Sequence, residues 1–207
     1  MNSKTPLSNK ILKKIKKEQL NAFTAKDFIE MANIRTINKN LERLEKSSTL
    51  RRIISGVYDI PDYSTVLKEF SAPSIDDVAH ALARANNWKI CPSGTSALNY
   101  IGLSTQVPAQ YVYVSSGPYK DYMIGNINLI FKHTNNRLMY SSSMETAILI
   151  QAIKAIGRSN ITKDQMSIIR NHYNNPKIIK MLLDESKLST AWIYETIKKT
   201  FKGNKHV

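Results

Sequence analysis

Residues 24–61, TAKDFIEMANIRTINKNLERLEKSSTLRRIISGVYDIP, restrict the fold more than any other stretch of this chain. Ile37, Leu41 and Leu44 recur at i, i+4 and i+7, so a helix through them buries one narrow stripe. Its other faces carry Arg35, Thr36, Asn38, Lys39, Arg43 and Lys46, side chains that hydrogen-bond base edges or neutralise phosphates. Upstream, Thr24 and Asp27 have the spacing of a helix cap. The short helix they open is expected to turn Phe28 and Ile29 inward and to end near Ala32 or Asn33, because Asn tolerates the left-handed turn conformation. Downstream, residues 50–54 and 57–60 are β-prone runs around Ser55-Gly56, which predicts a hairpin with Arg51 and Arg52 on its first strand, placed to contact phosphates or the minor groove of DNA. Two helices joined by a tight turn, the second amphipathic and basic, followed by a basic hairpin, read as a winged helix-turn-helix.

Charge agrees with that reading. The chain holds 30 Lys+Arg against 16 Asp+Glu, a net +14, which favours a polyanionic partner. Residues 1–60 contribute 13 Lys+Arg and 6 Asp+Glu, half of the surplus in under a third of the length. Part of it lies on a first helix, residues 8–19, where Ile11, Leu12 and Ile15 form the apolar side and Lys13, Lys14 and Lys17 are candidates for contacts to a nucleic-acid backbone. A solvated charged face explains the same lysines equally well. No apolar run has the roughly 18 to 20 residues of a membrane span, and the basic N-terminus has no apolar signal core, so no membrane is expected and the cytoplasm is the expected location.

At 207 residues the chain accommodates two small domains. Pro61 and Pro73 suggest the division: residues 1–61 as the winged helix-turn-helix, 62–73 as a linker, 74–200 as a mixed helix/strand domain with a helical end, and 201–207 as a basic tail. The fold class expected is α+β. In the second domain, Ser74 and Asp77 cap a helix whose inner stripe is Ile75, Val78, Ala79, Leu82 and Ala83. Residues 88–91, 111–115 and 127–132 read as strands, the last two forming a β-ribbon. Ser142 and Glu145 fit a capping box for a largely apolar helix ending at Gly157, and Thr162 with Gln165 repeats the box. Helices around 176–184 and 189–201 complete the chain.

Catalytic signatures are missing. His80, His133, His172 and His206 stand at no metal-ligand spacing, Cys91 has no evident base and reads as a buried structural thiol, and no phosphate-loop or nucleophile-elbow pattern occurs. No cofactor, no metal and no catalytic residue is therefore expected. Ser93, Gly94 and Thr95, in the turn before a helix over Ala97, Leu98 and Ile101, are a candidate anion site; the alternative is that Ser93 or Thr95 simply caps that helix.

The segments LERLEKSSTLRRIISGVYDIP (residues 41–61) and PSGTSALNYIGLSTQVPAQYVYVSSGP (92–118), supported by IGNINLIFKH (124–133) and QAIKAIG (151–157), resemble the AbiEi-type antitoxins and transcriptional regulators of bacterial type IV toxin-antitoxin, or abortive-infection, systems. The likeness covers roughly residues 8–158. It implies an N-terminal winged helix-turn-helix that binds inverted repeats in promoter DNA as an autorepressor. It also implies a C-terminal domain that neutralises a cognate nucleotidyltransferase-like toxin, functionally and without necessarily forming a stable complex. One departure is that relatives place a Gly after the recognition helix, where this chain has Ser47-Ser48. Two other readings stay open: a protein-interaction module with incidental DNA binding, and an RNA-modifying enzyme using the Ser93 turn.

Overall fold

A computed structural model describes residues 6–135, 142–158 and 160–202. The chain divides into two compact units, Met1–Trp88 and Lys89–Val207, and its class is α+β.

The first unit begins with helix α1 (Leu7–Glu18), strand β1 (Ala22–Thr24) and a single 3-10 turn (Ala25–Phe28). Helix α2 (Ile34–Lys46), the hairpin strands β2 (Arg51–Ile54) and β3 (Val57–Asp59), a small hairpin β4 (Tyr63–Ser64) and β5 (Glu69–Phe70), and helix α3 (Ile75–Asn86) follow. β1, β3 and β2 form one antiparallel sheet in that order. The core gathers Ile11 and Ile15 from α1, Phe23 and Phe28, the stripe Ile37, Leu41 and Leu44 of α2, Leu50, and Tyr58 from β3. Phe23 and Phe28 meet edge to face at 5.7 Å, and each such fully buried side chain contributes roughly 1.5–3 kcal/mol.

Three local expectations change here. Thr24 and Asp27 do form the capping box, but they open only the 3-10 turn; Ile29 falls in the following turn and is 62% exposed instead of facing inward. Asn33 does not end a helix in a left-handed conformation. It is extended (φ −64°, ψ 151°), and its side chain accepts from the Thr36 amide at 2.9 Å, capping α2. The Ser47-Ser48 departure leaves the turn intact: Ser48 takes the left-handed conformation itself (φ 56°), and the amides of Thr49 and Leu50 close on the Leu44 carbonyl.

The domain boundary also moves. The helix expected to open the second domain, α3, packs against β1 instead, burying Val78, Ala79 and Leu82. Arg84 donates to the Asp27 carboxylate at 3.0 Å and to the Ala22 carbonyl at 2.8 Å, and Lys26 reaches the Ala85 carbonyl at 2.6 Å. Residues 62–73, expected as a linker, fold into the β4–β5 hairpin inside the first unit. A three-residue strand is too short to read from periodicity, so the surface that α3 needs was invisible in the sequence.

The second unit is built on a four-stranded sheet of β6 (Ile90–Ser93), β7 (Gln110–Ser115), β8 (Lys120–Ile124) and β9 (Ile127–His133), ordered β6-β7-β9-β8. The two runs expected as a ribbon, β7 and β9, do pair, but in parallel. The tight turn at Gly125 (φ 57°) joins β8 to β9 as the antiparallel hairpin, leaving β9's other edge for β7. Helices α4 (Thr95–Tyr100), α5 (Met144–Ile156), α6 (Lys163–His172), α7 (Pro176–Ser186) and α8 (Ala191–Phe201) complete the unit. α5 is the spine, touching α4, β6, α7 and α8, with Ile148, Leu149, Ile150 and Ile153 buried. Its cap is Ser143, one residue later than expected, because Ser143 accepts from the Thr146 amide. The Thr162–Gln165 capping box forms as read. The basic tail expected at 201–207 lies, from residue 203 onward and including His206, outside the described residues.

Among the described residues no helix is long and apolar enough to cross a membrane.

Candidate nucleic-acid interface

α2 places its charges by the same periodicity that buries Ile37, Leu41 and Leu44. At about 100° per residue, Arg35, Lys39, Glu42, Arg43 and Lys46 point away from the stripe, with Thr36 and Asn38 on its flanks. All seven are exposed. Lys46 pairs with Glu42 at 3.1 Å, whereas Arg35, Lys39 and Arg43 make no ion pair among the described residues. The first turn of α2 has no acidic residue and carries Arg35, a charge that the positive end of the helix dipole disfavours. An arrangement of this kind lowers the stability of the free helix and is relieved by an anion.

On the hairpin, the two arginines part company. Arg52 is exposed, and its guanidinium lies 5.9 Å from the Tyr58 ring centroid. Burial pushes the Tyr58 phenol up, with the Arg52 charge pulling the other way. Arg51, expected to contact phosphates or the minor groove, is committed inside the protein. Its Nε donates to Asp59 at 3.0 Å, a second nitrogen donates to the other carboxylate oxygen, and the third donates to the Ser71 carbonyl at 2.6 Å. Asp59 sits directly opposite Arg51 in the β2–β3 register, so the pair is a cross-strand clamp.

α1 divides similarly. Lys13 and Lys17 are exposed and make no ion pair among the described residues. Lys14, expected beside them as a backbone contact, instead reaches the Glu30 carboxylate and the Asp27 carbonyl (2.6 Å) and retains only 18% side-chain exposure. It fastens α1 to the turn before α2. Spacing alone puts all three lysines on one basic helix; the tertiary acceptors that capture Lys14 have no signature in sequence.

In the candidate anion turn the side-chain cap expected as the alternative does not form. Gly94 (φ 59°, ψ −136°) occupies the N-cap of α4, a helix of six residues, so neither Ser93 nor Thr95 caps it. The Ser93 hydroxyl donates to Gln151 on α5 at 3.2 Å, and Ser96 accepts from the Val112 amide. Nearby, burial pushes the Cys91 thiol up to about 12, which keeps it protonated and unreactive at neutral pH. Among the described residues no three His, Cys, Asp or Glu side chains gather where they would hold a metal ion.

Residues 9–181 match the model of a family of unknown function, DUF6088. The chain belongs to this family. The match runs through both units of the DUF6088 chain, so the basic helix and the sheet with its α5 spine fall within one family architecture. No curated protein matches the chain.

Proposed function

We propose that the chain is a DNA-binding transcriptional regulator whose first unit is a winged helix-turn-helix, with α2 as the recognition helix and the β2–β3 hairpin as the wing. The observation that carries this reading is the unneutralised face of α2. Among the described residues Arg35, Lys39 and Arg43 stand exposed without carboxylate partners, on a helix whose opposite stripe is fully committed to the core. The order helix, strand, turn, helix, hairpin supports it, because it sets a basic helix after a tight turn and a cationic strand after that helix. Arg35, Asn38, Lys39 and Arg43 read base edges in the major groove, Thr36 and Lys46 hold phosphates, and Arg52 adds a contact from the hairpin. Lys13 and Lys17 give backbone support.

The likeness of residues 41–61 and 92–118 to AbiEi antitoxins extends the proposal to an autorepressor of its own promoter that neutralises a nucleotidyltransferase-like toxin. The second unit would carry that role. No step of this reading needs a catalytic group or a cofactor.

Gel retardation of promoter DNA across a salt series tests the proposal. Arg35→Ala, Lys39→Ala and Arg43→Ala should each weaken binding. A base reader costs ~1–3 kcal/mol at one base pair, and a phosphate contact reduces the salt slope by about one. A triple variant that retards promoter DNA as wild type does, while folded, would refute the assignment of α2.

A further inference from the structure

We propose that the outer groove between α7 and α8 is a docking site for an acidic amphipathic helix of a partner protein. The two helices pack on each other, turning Ile179 and Leu182 of α7 and Ile193 and Ile197 of α8 into the core. On the other side of the pair they leave a concave groove of about 620 Å³. Leu183, Pro176 and the Tyr194 ring give it an apolar surface, and lysines line its walls: Lys177 and Lys180 from α7, Lys187 at the C-cap of α7, and Lys198 from α8.

These lysines follow from helix periodicity. Positions 177, 180 and 184 recur at three and four residues on one face of α7, Lys187 continues that row at the C-cap, and Tyr194 and Lys198 are four apart on α8. The single acid among the lining residues, Asp184, is already engaged by Lys187 at 2.7 Å. Lys198 stands 4.0 Å from Glu195 and 5.9 Å from the Tyr194 ring centroid, while Lys177 and Lys180 make no ion pair among the described residues. The groove thus combines an apolar floor with a positive rim on which Lys177 and Lys180 are uncompensated among the described residues, its lysine stems extending the apolar surface beneath the charges.

Three occupants fit such chemistry unequally. A second copy of this chain, with a net charge of +14, would bring a basic surface against lysines. A nucleic-acid strand would satisfy the rim but leave most of the floor unused, since only Tyr194 offers a stacking ring. A helix with aliphatic residues at i, i+4 and i+7 and carboxylates on its flanks satisfies both parts at once. Each wall is an 11-residue helix, ~16 Å long, which accommodates about three turns of a docked helix. The groove lies wholly in the second unit and does not depend on the DNA-binding reading of the first.

The probe is a fluorescein-labelled, helix-stabilised 14-mer with Leu at i, i+4, i+7 and i+11 and Glu on the flanking positions, titrated against the full chain by anisotropy and by amide NMR shifts. Binding is expected to shift α7 and α8 amides. It should weaken at least tenfold in Lys177→Glu/Lys180→Glu, and also in Tyr194→Ala. A charge-matched control, Lys10→Glu/Lys16→Glu on α1, should bind the peptide as wild type does, and all variants should keep the wild-type circular dichroism. Shifts mapping elsewhere, equal weakening by the α1 control, or a 12-mer of single-stranded RNA that binds more tightly than the peptide with the same Lys180 dependence would each overturn the proposal.

Discussion

Ser48 shows how far a single backbone angle carries an argument. It holds φ 56° at the end of α2, a conformation in which a Cβ crowds the following carbonyl. Glycine has no such penalty, so Ser48→Gly should stabilise the first unit by about 0.5–1 kcal/mol, partly offset by the greater freedom of glycine in the unfolded chain. A denaturant midpoint rising at unchanged slope is the readout. Arg51 and Arg52 make the complementary case. Removing Arg51 strands the Asp59 carboxylate, whose side chain is 9% exposed; Arg51→Ala should therefore cost about 2–3 kcal/mol of stability, the range for hydrogen bonds to a charged group. Arg52→Ala should leave stability within about 0.5 kcal/mol and, on the proposed DNA-binding reading, weaken retardation of promoter DNA. Parallel unfolding and gel-retardation measurements separate the two, and equal destabilisation by both would contradict the clamp. The sequence predicted that both arginines lie on the strand; it held no sign that Asp59 would sit across from the first.

At the scale of elements, periodicity was legible wherever a helix buries one stripe. The α2 stripe and the Thr162–Gln165 cap both stand where the residues put them. Pairing between distant elements was not legible, because register and neighbour are chosen by tertiary contacts that leave no local pattern. The N-terminus of α5 is an example: Ser143 both caps the helix and is held by Glu185 of α7, whose carboxylate accepts from the Ser143 amide at 2.9 Å and from its hydroxyl at 2.7 Å. Partial burial would raise the Glu185 pKa, but the hydrogen bonds from Thr146 and Ser143 outweigh it and hold the carboxyl below its ordinary value of 4.5. A depressed folded-state pKa means that the stabilisation is fully present above the unfolded value. It is lost as pH falls through the folded one. Wild type minus Glu185→Gln should accordingly show a stability difference of about 1.5 kcal/mol near neutrality, shrinking as the pH falls from the ordinary carboxylate value through the lower folded-state one. A difference that stays constant over that range would remove Glu185 from the account.

For the whole molecule, two prolines pointed to a boundary that the structure sets further on, after Trp88. Proline marks where regular structure stops, not where a compact unit ends, and the first unit continues through α3, which packs against β1. Val78, Ala79 and Leu82 are buried there, and Arg84 ties α3 to both Asp27 and the Ala22 carbonyl. Losing α3 would expose β1, whose three residues are all buried, and would leave the Asp27 carboxylate without its guanidinium partner. With each lost Val or Leu burial worth roughly 1.5–3 kcal/mol and a small domain holding only about 5–15 kcal/mol in total, the deficit is a large fraction of the stability. A fragment of residues 1–88 should therefore unfold cooperatively on heating, followed by circular dichroism at 222 nm. A fragment of residues 1–73 should unfold at a markedly lower temperature, and one of residues 1–61 should show no cooperative transition. If 1–73 melted with the same midpoint and steepness as 1–88, α3 would be a passenger on the first unit, and the boundary would return to the prolines.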